Sequence, residues 1–193
     1  MINPKEEKTY VMIKPDGVQK GLIGEVIKRF EQRDLKIVAL EMFQPTVEQI
    51  DNHYPKDAAW INRLGEKTLS TYEKYGYDAM ADFGTTDTAK IGPEIRKWLI
   101  DYMISAPLVK MVVQGTHAVD MVRKISGPTM PYLADMGTLR GDYSNDSPAV
   151  ANAEKRAVAN IMHASETPEE AAHEIEYWFG GDTAIHDYKR HGE

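Results

Sequence analysis

The spacing of apolar residues sorts most of the chain into elements. Thr9-Tyr-Val-Met-Ile13 is apolar and β-rich, and it ends at Lys14-Pro15-Asp16-Gly17. There Pro presets φ, Asp bonds its own backbone and Gly accepts a positive φ, so a strand is expected to run into a turn. Ile23, Val26, Ile27 and Phe30 follow at i, i+3, i+4 and i+7, the stripe of a helix. Residues 35–43 predict a second strand, stopped by Pro45, and residues 46–54 a short helix, closed by Pro55. From about residue 56 to 92 the sequence is polar, Tyr-rich and Gly-punctuated, with helical stretches expected near 58–64 and 67–74. Ile95, Trp98, Leu99, Tyr102 and Met103 restore helical spacing over 94–105.

The second half alternates similarly. Residues 108–114 predict a strand ending at Gly115, and Thr116 is placed to cap a helix whose apolar face includes Val119 and Val122. Residues 127–137 are too rich in Pro and Gly for a regular element, and 138–143 suggest a short extended piece. Ser147-Pro148 is an N-cap and first-turn pair, opening a helix through Ala157. Thr167-Pro168-Glu169-Glu170 carries a cap, a first-position Pro and a capping-box glutamate. The helix it starts has Ala171, Ile175, Trp178 and Phe179 as its buried face and ends at Gly180-Gly181. The tail 182–193 is polar and expected to be partly disordered. Strand, helix, strand, helices, strand, helices in that order predict an α+β sandwich, helices covering one antiparallel sheet.

Composition narrows the class. A length of 193 residues suits one domain with insertions, and 42% hydrophobic against 27% charged residues is an ordinary globule with a core. The chain has no cysteine, which excludes disulfides, a thiolate nucleophile and Cys-ligated metal. The first residues have no apolar h-region, and no apolar run reaches membrane-spanning length, so a cytoplasmic protein without a membrane role is expected. A net charge of −7 disfavours nucleic acid as a partner.

His163, in Asn160-Ile-Met-His163-Ala-Ser165, is the side chain able to act as a nucleophile near neutrality without an unusual shift. A lone histidine is more often a hydrogen-bonded core residue, so the rest of the chain has to decide. Lys14, Arg123 and Arg140 sit beside turns or irregular loops, where functional side chains concentrate. No Walker loop, dinucleotide fingerprint or protein-kinase motif is present, so phosphate handling would fall to side chains. His53, His117, His173, His186 and His191 have no evident partners and are taken as structural or solvated.

Three stretches together resemble the nucleoside diphosphate kinase family: Tyr10-Val-Met-Ile-Lys14-Pro-Asp-Gly17, Gly137-Thr-Leu-Arg140-Gly-Asp142 and Asn160-Ile-Met-His163-Ala-Ser165. They occur in the family's order, and the resemblance covers about residues 8–179 except for extra segments near 56–92 and 144–156. It implies a single domain over 1–193 with a ferredoxin-like βαββαβ sandwich and a helical insertion. It implies transfer of the γ-phosphoryl group of a nucleoside triphosphate to a nucleoside diphosphate, by a ping-pong mechanism through phosphohistidine at His163. By matched position, Lys14, Arg123, Thr129, Arg140 and Asn160 line the phosphate and ribose site, Tyr54 lies beside the histidine, and Ser165 and Glu174 support it. The position of the family's base-stacking Phe falls on Ile95, with Trp98 nearby, which leaves the stacking residue open; Leu99 matches a second apolar contact. Mg²⁺ would arrive with the nucleotide, with no metal site on the protein. The resemblance also implies a homo-oligomer, a hexamer or a tetramer built from dimers. Ala164 replaces a usual Gly, and Gly127-Pro128 a usual Gly-Glu. Two other readings remain at this point: a nucleotide-binding regulator that kept the fold without turnover, and an assembly module.

Overall fold

A computed structural model describes residues 4–180 and 184–190. Strands β1 (Glu7–Ile13), β2 (Lys36–Phe43), β3 (Leu108–Gly115) and β4 (Met162–Ala164) form one antiparallel sheet in the order β2-β3-β1-β4. Every residue of β3 is buried, as are the last five of β1, so neither alternates as a half-exposed strand would. Both faces are covered. On one, Val11, Ile13, Met111 and Val113 meet helices α2 (Ile23–Glu31) and α7 (Ala118–Ser126) through Val26, Phe30 and Val122. On the other, Tyr10, Met12, Leu108 and Val112 meet α3 (Val47–His53), α6 (Thr88–Ile104) and α10 (Pro168–Phe179) through Ile50, Met103, Ile175 and Trp178. Strand order and layering are those of the expected ferredoxin-like α+β sandwich.

The weakly patterned stretch is helical. α4 (Ala58–Tyr75) is one continuous helix where two pieces were expected, followed by α5 (Ala79–Phe83) and α6. α4 and α6 touch backbone to backbone: a Cβ on Gly65 would meet Thr88 O and one on Gly92 would meet Ile61 O, so only Gly fits at either crossing point. α6 starts six residues before 94 because Asp87 caps it, its Oδ1 accepting from Ala89 N at 3.0 Å, and a Pro that early forfeits a single helix bond. A short helix α9 (Pro148–Ala153) ends four residues before Ala157, with Lys155 at φ +52°. The Lys155–Asp82 ion pair at 2.8 Å and the Tyr77 hydroxyl, donating to Ala149 O at 3.3 Å, join this segment to the first one.

Other local expectations are corrected. Pro15 opens a one-turn helix, α1 (Pro15–Gln19), where a turn was expected, and Gly17 serves close packing, since φ there is not positive. Residues 138–143 are not extended: α8 (Leu139–Tyr143) forms because Thr138 Oγ1 accepts from Gly141 N at 3.1 Å. Thr116 does not cap α7; His117 takes that position at φ +50°, and Glu7 Oε2 of β1 accepts from Val119 N at 3.0 Å. The expected disorder at 182–193 does not apply to its described part, where Ile185 packs on the core and His186 N donates to Val38 O of edge strand β2. His191 lies outside the described residues.

Candidate active site

The register of β4 places the histidine. His163 stands opposite Met12, whose neighbours are Tyr10 and Trp178, so its ring shares the face covered by α10. α10 buries Ala171, Glu174, Ile175 and Trp178, one helical stripe in which Glu174 is the polar member. Phe179, expected in that stripe, is only half-buried. Glu174 Oε1 lies 2.6 Å from His163 Nε2, and its Oε2 accepts from Ser165 Oγ at 2.6 Å. Burial would raise the Glu174 carboxyl, but His163, Ser165 and His53 together hold it below its ordinary value. Nε2 is sealed from solvent although the side chain as a whole is 23% exposed, so the ring's open part is the other side.

That open side borders a cleft of about 290 Å³ lined by Lys14, Arg123, Thr129, Arg140 and Asn160. Lys14 ends β1 and donates from Nζ to Asn160 Oδ1 at 2.7 Å; Asn160 Nδ2 donates to Thr129 O at 3.0 Å. Burial, with Arg140 adding to it and Asp16 opposing, lowers the Lys14 amine to about 8. Arg140 is 6% exposed and gives three backbone bonds, to Asn160 O at 3.0 Å, Gly127 O at 2.5 Å and Met162 O at 2.7 Å. Burial and Arg123 lower it to about 10. Arg123 is different: its side chain is 42% exposed and pairs with Glu166 at 3.3 Å.

The backbone between Asn160 and Met162 is under strain. Ile161 has φ +71°, a conformation a β-branched residue adopts at a cost of about 1–3 kcal/mol. The opening Pro-Asp-Gly holds it there: Asp16 Oδ2 accepts from Ile161 N at 3.0 Å, and Lys14 N donates to Ile161 O at 2.8 Å. Asp16 Oδ1 also accepts from the Tyr102 hydroxyl. Asp146, in the second extra segment, accepts from Ala159 N at 2.7 Å and from both Arg156 terminal nitrogens, fixing the approach to Asn160.

The remaining expected residues fall nearby. Tyr54 packs its ring 5.2 Å from His53, which in turn stands 5.4 Å from His163, and it stacks on Trp60. Ile95 and Leu99 are half-buried on α6 and do not border the cleft of His163. Trp98 and Tyr102 of that helix border a second hollow with Asp16 and Ala157. Sequence reasoning missed Asp16, Asp146 and His53. The first carried a signal, being the Asp of the turn it was assigned to, whereas Asp146 and His53 gain their partners only through folding.

Among the described residues, His53, His163 and Glu174 bring one ligand atom each within 4.8 Å of one another. Two donors of one zinc ion stand roughly 3.3 Å apart, given metal–ligand distances of about 2 Å. The 2.6 Å between Nε2 and Oε1 suits an imidazole–carboxylate pair, not an ion between them.

A cleft lined by Lys14, Arg123 and Arg140 that faces an imidazole on a ferredoxin-like sheet has the chemistry of a phosphoryl-transfer enzyme that works without a Walker loop. The family model for "Nucleoside diphosphate kinase" matches residues 7–61 and 92–184. The nucleoside diphosphate kinase of Pyrobaculum aerophilum is 48% identical over 173 residues, 90% of this chain and 94% of that one. That of Methanosarcina mazei is 39% identical, over 95% and 94% of the two chains. Among solved structures, an NDP kinase from Pyrobaculum aerophilum superposes with TM-score 0.89 at 44% identity, covering 94% of this chain and 100% of that one. A nucleoside-diphosphate kinase from Borrelia burgdorferi, a transition-state mimic with bound vanadate and ADP, gives 0.75 at 32%, covering 97% and 95%. The chain belongs to the nucleoside diphosphate kinase family and is a phosphotransferase of that activity, moving the γ-phosphoryl group of a nucleoside triphosphate to a nucleoside diphosphate.

Proposed function

We propose that His163 is the phosphoryl acceptor and that Nδ1 is its reacting atom. The observation that carries this is the position of Nε2, sealed against Glu174 at 2.6 Å while the rest of the ring opens on the basic cleft. The Nδ1 lone pair attacks the γ-phosphorus in line, the bond to the β,γ-bridging oxygen breaks, and the nucleoside diphosphate leaves with that electron pair. The ring becomes cationic as the P–N bond forms, and Glu174, steadied by Ser165, sits where it offsets that charge. A second diphosphate then takes the group by the reverse step, so the kinetics are ping-pong.

Lys14, Arg123 and Arg140 supply positive charge to the β- and γ-phosphates, and Asn160 and Thr129 hold ribose and phosphate oxygens. Tyr54 backs His53 beneath the acceptor, and Ile95 and Leu99, half-buried on α6 outside the phosphate cleft, are the positions matched to the family's apolar contacts with the base. Mg²⁺ enters as part of the nucleotide substrate, held by its phosphate oxygens. The chain is one domain with inserted segments near 56–92 and 144–156. It acts in the cytoplasm as a homo-oligomer, a reading supported by the exposed Leu40 and Met42 on edge strand β2.

Incubation with γ-labelled ATP followed by denaturing electrophoresis tests the central step. A base-stable, acid-labile label on the wild type that is lost in His163→Ala is expected. A label that survives that substitution would overturn the assignment.

A further inference from the structure

His53 ends α3 with a side chain 7% exposed, outside the lining of the phosphate cleft. Its ring stands edge-on to His163, 5.4 Å between centroids at 87°. Its Nδ1 lies 3.8 Å from Glu174 Oε1, the same oxygen that faces His163 Nε2 at 2.6 Å. One carboxylate oxygen therefore has two imidazoles within reach, and transfer needs it for one of them.

Trp178 decides between them. Its indole Nε1 donates to His53 Nδ1 at 3.3 Å. An indole nitrogen can only donate, so Nδ1 must accept, and the proton of the His53 ring is on Nε2. His53 thus turns a lone pair toward Glu174 where a protonated ring would turn an N–H. Burial, then the neighbouring His163, push the His53 imidazole down to about 3, against the pull of Glu174. The ionisable groups around it are Glu174 and His173 from α10, His163 from β4 and Lys14 at the end of β1, with the Tyr54 ring alongside.

We propose that His53 is a positioning residue for phosphoryl transfer: with Nδ1 held by the Trp178 indole it cannot bind Glu174, and so reserves that carboxylate for His163. The proposal rests on His163 being the acceptor. A proton on His53 Nδ1 would create a rival donor to Glu174 and draw that carboxylate away from His163 Nε2 as the P–N bond forms.

Trp178→Phe tests this by keeping an aromatic ring against Tyr10 while deleting the N–H. Imidazole ¹⁵N spectra and the rate of phosphoenzyme formation are followed from about pH 5 to 9, the range over which an ordinary histidine titrates. In the wild type, His53 should remain neutral with its proton on Nε2 throughout. In Trp178→Phe burial still keeps the ring neutral, but Nδ1 has lost its donor, so the proton should move to Nδ1 and point at Glu174, and phosphoenzyme formation should slow by about tenfold. Trp178→Phe combined with His53→Leu, which has no N–H to offer, should recover most of that rate. A His53 proton that stays on Nε2 in Trp178→Phe, or a slowing that survives in the double variant, would overturn the proposal in favour of packing alone. The parent reading fails separately: a label that persists in His163→Ala sinks the acceptor assignment and leaves the ¹⁵N result for His53 standing.

Discussion

The two arginines of the cleft should fail in different ways when each is replaced by lysine. Arg140 spends its guanidinium on three backbone carbonyls, whereas Arg123 is half-exposed with one ion pair. An ammonium reaches one carbonyl at a time. Asn160 O keeps the Met162 N–H as a second donor, so Gly127 O and Met162 O are the acceptors at stake. With one of the two satisfied by the lysine, the other is left without a donor at a cost of about 1–3 kcal/mol. At roughly 2–4 °C per kcal/mol for a domain of this size, Arg140→Lys should lower Tm by about 2–12 °C. It should also lower kcat/KM by more than about a hundredfold, since the freed carbonyls flank His163 and the charge moves. Arg123→Lys should cost about tenfold in kcat/KM, with Tm within about 2 °C of the parent. Calorimetric melts and a coupled assay of nucleoside diphosphate phosphorylation measure both. Equal Tm values for the two variants would refute the view that Arg140 frames the site as well as charging it.

Glu174→Gln removes the charge facing His163 Nε2, worth about 1.5–3 kcal/mol, so phosphoenzyme formation should slow by about ten- to a hundredfold; Ser165→Ala, which loses a bond that steadies the carboxylate but leaves its charge in place, should slow it by less than about tenfold. Quench-flow at saturating ATP ranks them, and the reverse ranking would undo the roles given to the pair. With its amine lowered to about 8, Lys14 loses its charge as pH rises through that value, so diphosphate KM should climb above about pH 8 and Lys14→Arg should move that limb to higher pH. Between about 8 and the ordinary 10.5 the unfolded chain is the better proton binder at Lys14, so this group's share of the unfolding free energy rises with pH across that window. In Gly17→Ala the new methyl would lie 2.7 Å from Ile161 O and 2.8 Å from Ile13 Cγ2, an overpacking of about 1–3 kcal/mol, while Gly24→Ala, in helix α2 with no neighbour within 4 Å, should be as stable as the parent or gain up to about 1 kcal/mol. Similar denaturation midpoints for the two glycine variants would contradict that packing.

What could be read from the chain divides along a physical line. Apolar periodicity located the strands and helices whose burial is decided by their own residues, as in α2 and β3. It failed where a neighbour decides. Residues 138–143 have no stripe to show because one hydroxyl, Thr138 Oγ1, is enough to start a single turn. The 56–92 stretch looked irregular because α4 meets α6 through Gly65 and Gly92, residues that ordinarily signal breaks and here permit contact. For the site, the motifs located Lys14, Arg140, Asn160 and His163, since each lies in a short run with its partners. Glu174 was also carried over from the family, though its burial on an apolar stripe was an independent sign. His53 could not be found that way, because the donor that fixes its proton lies 125 positions away.

That division also explains why the opening Pro-Asp-Gly belongs to the candidate site. Ile161 must be held at φ +71° for β4 to begin at Met162 with His163 opposite Met12, and nothing local favours it. The restraint comes from the other end of the chain: the Asp16 carboxylate on Ile161 N, the Lys14 amide on Ile161 O, and a glycine at 17 that lets that carbonyl approach. Lys14 Nζ then reaches Asn160 from the same strand end. The two motifs, some 145 residues apart, are therefore one device: the first supplies a charge to the cleft and, through two backbone bonds, the strained bend that aims the second. Losing either bond should relax Ile161 toward an ordinary φ and turn His163 away from Glu174, which makes Asp16→Ala a variant that loses activity without touching any group that meets the nucleotide.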